Sequence, residues 1–220
     1  MATPLDLEEQ EQLDQLKHFW KQYGNAITWT LIAVLSGFAS WNFYQYWQRG
    51  KSAQASALFE EVDKSIKLGD MTKVERSVSD LQKGYESTVY AQQAGLLVSK
   101  YYYEAGKVDA AKAALAWVVE KPTDSGYQSI AKLRLSGMLA EEGAYAEAIK
   151  LLDSALPPEF IGLAQDRKGD ILVLQGLKPE AIVAYTEAYK LTDERTEYRR
   201  LVEVKLNSLG VNPANGALIK

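Results

Sequence analysis

Between Gln22 and Gln48 the chain carries no charged side chain. The inner part of that stretch, residues 26–47, is about as long as a helix must be to cross the hydrocarbon layer of a bilayer. Its centre, Leu31-Ile32-Ala33-Val34-Leu35, is wholly apolar. Thr28, Thr30, Ser36 and Ser40 can bond back to carbonyls of their own helix, so each costs little in lipid. Aromatic rings gather at both ends: Trp20, Tyr23 and Trp29 before the centre, then Trp41, Phe43, Tyr44, Tyr46 and Trp47 after it. Amphipathic rings favour the headgroup layer, so two such clusters mark two membrane interfaces. Arg49 and Lys51 follow with charge that can snorkel outward. Ala33/Gly37 and Ser36/Ser40 place small residues four apart, a spacing that lets a second helix approach closely.

Two other readings of the stretch fail on its flanks. A core helix of a soluble domain requires neither this length nor a doubled aromatic cluster. A cleaved signal peptide would use Ala53-Gln54-Ala55 as its small-x-small site, yet the preceding region is long and acidic, and Arg49 and Lys51 intervene. The sequence therefore predicts a retained membrane helix over 25–48 behind an acidic tail over 1–24. In that tail Thr3-Pro4 is a reasonable helix start, and Leu13, Leu16, Trp20 and Tyr23 line one helical face. Orientation stays open. Lys17 and Lys21 stand on one side and Arg49 and Lys51 on the other, with Lys64 and Lys67 at the edge of the counting window, so the count is tied or leans slightly towards a cytoplasmic C-terminal domain.

Behind the anchor the charge is nearly balanced. Residues 1–48 hold five acids and two bases, so of the net −4 only −1 falls on 49–220. No basic stripe is present to neutralise phosphates, which argues against nucleic-acid binding. The absence of cysteine excludes disulfides and thiolate chemistry. His18, the single histidine, cannot build a multi-histidine metal site.

The rest of the chain repeats itself. At a step of 33, residues 133–156 fall on 166–189, with Gly143 on Gly176, Ala148 on Ala181, Ile149 on Ile182 and Ala155 on Ala188. A step of 37 in the other direction brings Gly106 and Ala111 into register, and a fainter copy centres on Gly69 and Val74. Each copy reads as two helices joined by a short turn, with glycine ending the first in a left-handed cap. The small residue five later, Ala111, Ala148 or Ala181, lets the second helix lie close to the first, against a dent at Ser99, Ser136 or Gly169. Leu115, Leu152 and Tyr185 then fill the space between units. A hairpin of this size buries its apolar face only by stacking on neighbours.

This pattern resembles the tetratricopeptide repeat. Residues 162–195 fit best, through Gly169, Gly176, Ala181 and Ala188. Residues 129–161 depart with Ser136, and Pro157-Pro158 is expected to end their second helix; residues 92–125 have Val118 at the last small position. The first copy is degenerate, with Val62, Val74 and Leu81. Thr192 to Leu209, with Thr192 or Asp193 as cap and an apolar stripe of Tyr198, Leu201, Val204 and Leu206, is expected to close the stack. The expected fold is all-α: one N-terminal transmembrane helix, a tetratricopeptide-like helical-hairpin solenoid over 49–209, and a flexible tail over 210–220.

The ordered combination is more specific than its parts. An acidic tail, LKHFWKQYGNAI leading into one membrane helix, the exit Trp41-x5-Trp47-Gln48 and about four degenerate hairpins together resemble the YfgM family, the ancillary SecYEG translocon subunits. That resemblance implies an inner-membrane protein with a cytoplasmic N-terminus and periplasmic repeats. Its implied partners are the SecYEG translocon, the membrane-anchored chaperone PpiD, and client secretory and outer-membrane proteins on their way to further chaperones.

Stacked hairpins present a groove along their first helices, suited to a helix or an extended peptide. Register places Gln93, Leu96, Lys100 and Tyr103 there from one unit, Ile130, Leu133 and Gly137 from the next, and Leu163, Asp166 and Asp170 from the last. The set that grips a C-terminal carboxylate is missing, because Leu96, Leu133 and Asp166 occupy one key row. Glu141-Glu142 and the pair Asp166/Asp170 are the nearest approach to acid–base chemistry, but no histidine, cysteine, nucleophile elbow or phosphate-binding glycine loop accompanies them. The chain reads as a non-catalytic binding module without a cofactor. A cytoplasm-facing adaptor using the same groove stays open, because the lysine balance permits it.

Overall fold

The computed structural model describes residues 7–121, 123–213 and 217–218, with side chains for residues 11–121 and 123–213. The predicted helix start at Thr3-Pro4 and Asp6 lie outside that description, as do the side chains of Glu8 and Glu9. The chain divides into two compact units, Met1–Lys51 and Ser52–Lys220. Helix α1 runs Leu7–Lys67, so its last turns belong to the second unit.

In the first unit α1 carries the one segment, among the described residues, long and apolar enough to cross a membrane. Thr28 and Thr30 donate to the carbonyls of Gly24 and Ala26, and Ser40 to that of Ser36, each at 2.8 Å. Asn42 Nδ2 makes the same backward bond to Phe38 O at 3.0 Å. The side chains of Thr28, Thr30, Ser40 and Asn42 are thus satisfied within their own helix, as lipid requires. Trp29, Leu31, Val34, Leu35, Phe38 and Trp41 are all exposed, a continuous apolar surface that a bilayer covers.

The second unit is a succession of helical hairpins. The end of α1 pairs with α2 (Met71–Gly84); α3 (Val89–Glu104) pairs with α4 (Val108–Glu120); α5 (Ser125–Glu141) with α6 (Tyr145–Leu152); α7 (Pro158–Leu174) with α8 (Lys178–Leu191). Helix α9 (Glu197–Ser208) follows alone. Every first helix ends at a glycine with positive φ, namely Gly69, Gly106, Gly143 and Gly176, and Gly210 ends α9 in the same way. The residue after each interior glycine bonds back five positions, as in Lys107 N to Tyr102 O at 2.8 Å and Ala144 N to Leu139 O at 2.9 Å. The predicted left-handed caps are present, and a side chain there would strain the backbone.

The small residues do what their spacing predicts. Ala111, Ala148 and Ala181 are wholly buried, and Leu115, Leu152 and Tyr185 are buried between units. At Gly169 a Cβ would stand 2.5 Å from the Tyr185 ring, so only glycine fits. Val118, the departure from the repeat pattern, is matched from the opposite helix. A Cβ on Gly95 would lie 2.5 Å from Val118 Cγ2, so the small residue has moved across the interface. The core follows the stack in three clusters: Ala55 to Met138, the Ala148–Ala164–Ile171 group, and the Ala181–Tyr185–Val202–Leu206 group. Ala55 is wholly buried in the first of these, so cleavage at Ala53-Gln54-Ala55 would sever a packed helix of the first hairpin.

Two expectations need correction. Helix α6 stops at Leu152, well before Pro157-Pro158. Ser154 Oγ donates to Leu151 O at 2.6 Å and competes with the next helical turn. Pro157 is extended and Pro158 opens α7, so the prolines start a helix instead of ending one, and Ala155 lies off the helix. Helix α9 starts at Glu197 with Thr196 as its cap residue. Thr192 Oγ1 instead closes α8 on Ala188 O at 2.7 Å, and Asp193 holds a turn through Arg195 N at 2.9 Å. Its buried face is Val202 and Leu206, with Tyr198 and Leu209 packed beside them, while Leu201 and Val204 face outward. After Gly210, Val211–Asn212 pairs antiparallel with Ala217–Leu218, and Val211 is buried against α9.

Candidate partner-binding groove

Successive first helices α3 and α5, with Arg167 of α7, border a cleft of about 340 Å³. Its apolar floor includes Leu115, Leu133 and Met138. Its walls carry Lys100, Arg134 and Arg167 against one carboxylate, Glu141. Tyr103 OH donates to Glu141 Oε2 at 2.9 Å, and that bond raises the phenol above its ordinary pKa. The cations are only lightly held within the chain. Lys100 Nζ is 3.7 Å from Glu104, Arg167 Nη1 is 3.8 Å from Asp170, and Arg134 Nη1 donates to the Leu96 carbonyl at 3.2 Å.

Of the residues placed in the groove by register, Lys100, Tyr103, Leu133 and Gly137 meet in this cleft. The others go elsewhere. Gln93 Nε2 donates to Tyr127 OH and ties α3 to α5. Leu96 is buried in the core cluster. Ile130 and Leu163 are half-buried, the former packed against that cluster. Asp166 is only 4% exposed, and its carboxylate is taken up by bonds within the chain. Lys205 Nζ donates to both Asp166 oxygens at 2.9 and 2.8 Å and to Asp170 Oδ1 at 2.7 Å. Tyr198 OH adds a bond to Asp166 Oδ2 at 2.5 Å, and Tyr185 OH one to Asp170 Oδ1 at 2.8 Å. Burial, then those hydrogen bonds, push both phenols up. This closed cluster holds α9 on α7.

Sequence reasoning missed Arg134, Met138, Glu141 and Arg167 as cleft residues. A signal for two of them was present: the step of 33 that aligns the hairpins sets Arg134 on Arg167, a cation recurring at one position of successive first helices. Among the described residues no group of three His, Cys, Asp or Glu stands together to hold a metal ion. An apolar floor under lightly held charges suits the binding of a peptide or helix.

Residues 17–211 match the family described as tetratricopeptide repeat-like domain. The chain is 30% identical over 204 residues to a Neisseria gonorrhoeae protein named ancillary SecYEG translocon subunit, covering 92% of this chain and 98% of that one. A Haemophilus influenzae protein of the same name is 27% identical over 203 residues, with 92% and 98% covered. One from Aggregatibacter actinomycetemcomitans is 25% identical over the same length and coverage.

Proposed function

Starting from a chain that belongs to the ancillary SecYEG translocon subunits, the YfgM family, with their tetratricopeptide repeat-like domain, we propose that it is a non-catalytic scaffold of the inner membrane working beside the SecYEG translocon. Residues 26–47 anchor it, the N-terminal tail lies in the cytoplasm, and the hairpins stand in the periplasm. There it works with the chaperone PpiD and helps emerging secreted or outer-membrane proteins pass to further chaperones.

The observation that carries this reading is the α3–α5 cleft on an anchored stack: an apolar floor at Leu133 and Met138, rimmed by Lys100, Tyr103, Arg134 and Glu141. Unfolded clients offer apolar side chains flanked by polar ones, which such a surface accepts without a fixed sequence. Asp166 and Asp170 serve binding indirectly, by keeping α9 in place.

Two measurements test the proposal. The first is a C-terminal alkaline phosphatase fusion, which should be active. An inactive phosphatase alongside a fluorescent cytoplasmic reporter would instead make the chain a cytoplasm-facing adaptor, the reading that the balance of Lys17 and Lys21 against Arg49 and Lys51 permits. The second is co-purification. Replacing Tyr103 and Leu133 together by alanine should reduce capture of PpiD or of clients, while SecYEG retained through the span persists. Unchanged capture removes the groove from the account.

A further inference from the structure

A second cleft lies on the other side of α5. Helix α6 has eight residues, whereas the second helices α4 and α8 of the flanking hairpins have 13 and 14. A cleft of about 850 Å³ lies between α4, α5 and α6, with Glu147, Lys150 and Leu151 of α6 and Ser154 after it along one side. Ala116 and Val119 of α4, Leu135 and Leu139 of α5, and Leu151 of α6 make it apolar.

Its charges do not balance. Lys112, Lys132 and Lys150 line it with one acid, Glu147. Lys112 is neutralised by Glu142 at 2.6 Å and Asp109 at 3.1 Å. Lys132 is only 7% exposed, and among the described residues its ammonium has the Ala155 carbonyl at 2.9 Å as its sole bond. Among the described residues no carboxylate pairs with Lys132 or with Lys150 at the rim. Burial lowers the Lys132 pKa, as expected for a cation removed from water without a counter-charge. A buried cation of this kind gains most from a ligand that brings an anion.

We propose that this cleft receives one helix of a partner protein, laid along α4 and the short α6. Its apolar face rests on Ala116, Val119 and Leu135, and one carboxylate of that helix meets Lys132. A helix fits because the walls are themselves helices with apolar residues between their cations, and the carboxylate follows from the unmatched charge. This site is separate from the α3–α5 cleft and does not depend on it.

The test places a photoreactive side chain at the exposed Ala113 in the full-length protein in its membrane, with the adduct mapped by mass spectrometry. The expected adduct falls on one partner segment that is helical and carries Asp or Glu within a turn of the crosslinked residue. Lys132→Gln keeps a donor for Ala155 O but removes the charge, and should lower the yield about tenfold, the effect of losing a charge-assisted bond. Lys132→Arg should restore most of it. Lys150→Gln, at an exposed position, should lower the yield in the same direction and covers the case in which Lys132→Gln impairs folding. Adducts to lipid, to a second copy of this chain or to an extended segment without acid overturn the proposal. So does an absent adduct, or a yield unmoved by both glutamine variants. A second photoreactive position at Tyr103 reports on the α3–α5 cleft alone, so failure at one site is distinguishable from failure at the other.

Discussion

Val118 and Gly95 make a quantitative test of how these hairpins are packed. Val118 is wholly buried, and the vacant Cβ position of Gly95 lies 2.5 Å from its Cγ2. Val118→Ala alone removes two methyl groups and leaves a cavity, a loss of about 2–3 kcal/mol. Gly95→Ala alone gains about 1 kcal/mol of helix propensity but overpacks the interface by about 1–3 kcal/mol, so it is neutral to destabilising. In the double variant the alanine methyl of position 95 enters the space that the valine vacated. The clash disappears while the propensity gain remains, and the loss should be smaller than the sum of the two singles by about 2 kcal/mol. Urea unfolding of the full chain in micelles, followed by far-UV circular dichroism, measures all four corners, and an unchanged m value allows the midpoints to be compared. Additivity within about 0.5 kcal/mol would refute the exchange of small for large across this interface. Gly95→Ala alone gaining the full propensity increment would refute it too, since α3 would then have moved to accept the methyl.

Three further outcomes follow from the same coordinates. Asp166→Ala leaves Tyr198 OH without its acceptor and Lys205 with Asp170 only; a loss of about 2–4 kcal/mol is expected, reduced from the fully buried case because Lys205 is partly exposed. Amide exchange in α9 should accelerate first, and unchanged protection there would show that the cluster does not hold the helix. Gly143→Ala forces an L side chain to φ +81° and should lower stability by about 1–2 kcal/mol, read from the same urea curves. Tyr185 and Tyr198 hold their protons in the folded chain beyond the ordinary tyrosine value of about 10. Their stabilisation is therefore complete below pH 10 and declines above it, where the unfolded phenols ionise and the folded ones do not. The decline is at most about 1.4 kcal/mol per pH unit for each tyrosine, and the double phenylalanine variant should flatten it.

What was legible in the sequence was what steric necessity writes into single letters. Gly106, Gly143 and Gly176 occupy left-handed positions, and Ala111, Ala148 and Ala181 occupy close approaches, so their spacing displays the hairpins directly. The apolar stretch is legible for a similar reason, since lipid tolerates few alternatives. The end of α6 was not, because Pro157-Pro158 looks like a terminator while the stop is made earlier by Asp153 and Ser154. Phase failed in α9 because Leu201 and Val204 are as apolar as Val202 and Leu206, and only packing on α8 tells the faces apart. Buried charge was the least readable feature. Asp166 meets Lys205 across 39 positions and Lys132 meets Ala155 O across 23, and no local pattern announces either encounter.

The ionic latch on α9 also gives the stack a direction of failure. Hairpins that lean only on their neighbours melt from whichever end is loose, much as a zipper parts from its open side. Here the terminus farthest along the chain is bolted by Lys205, Asp166 and Asp170 through a doubly braced ammonium. Unravelling must then start elsewhere, and hairpins tugged through α9 would resist together until that bolt gives way.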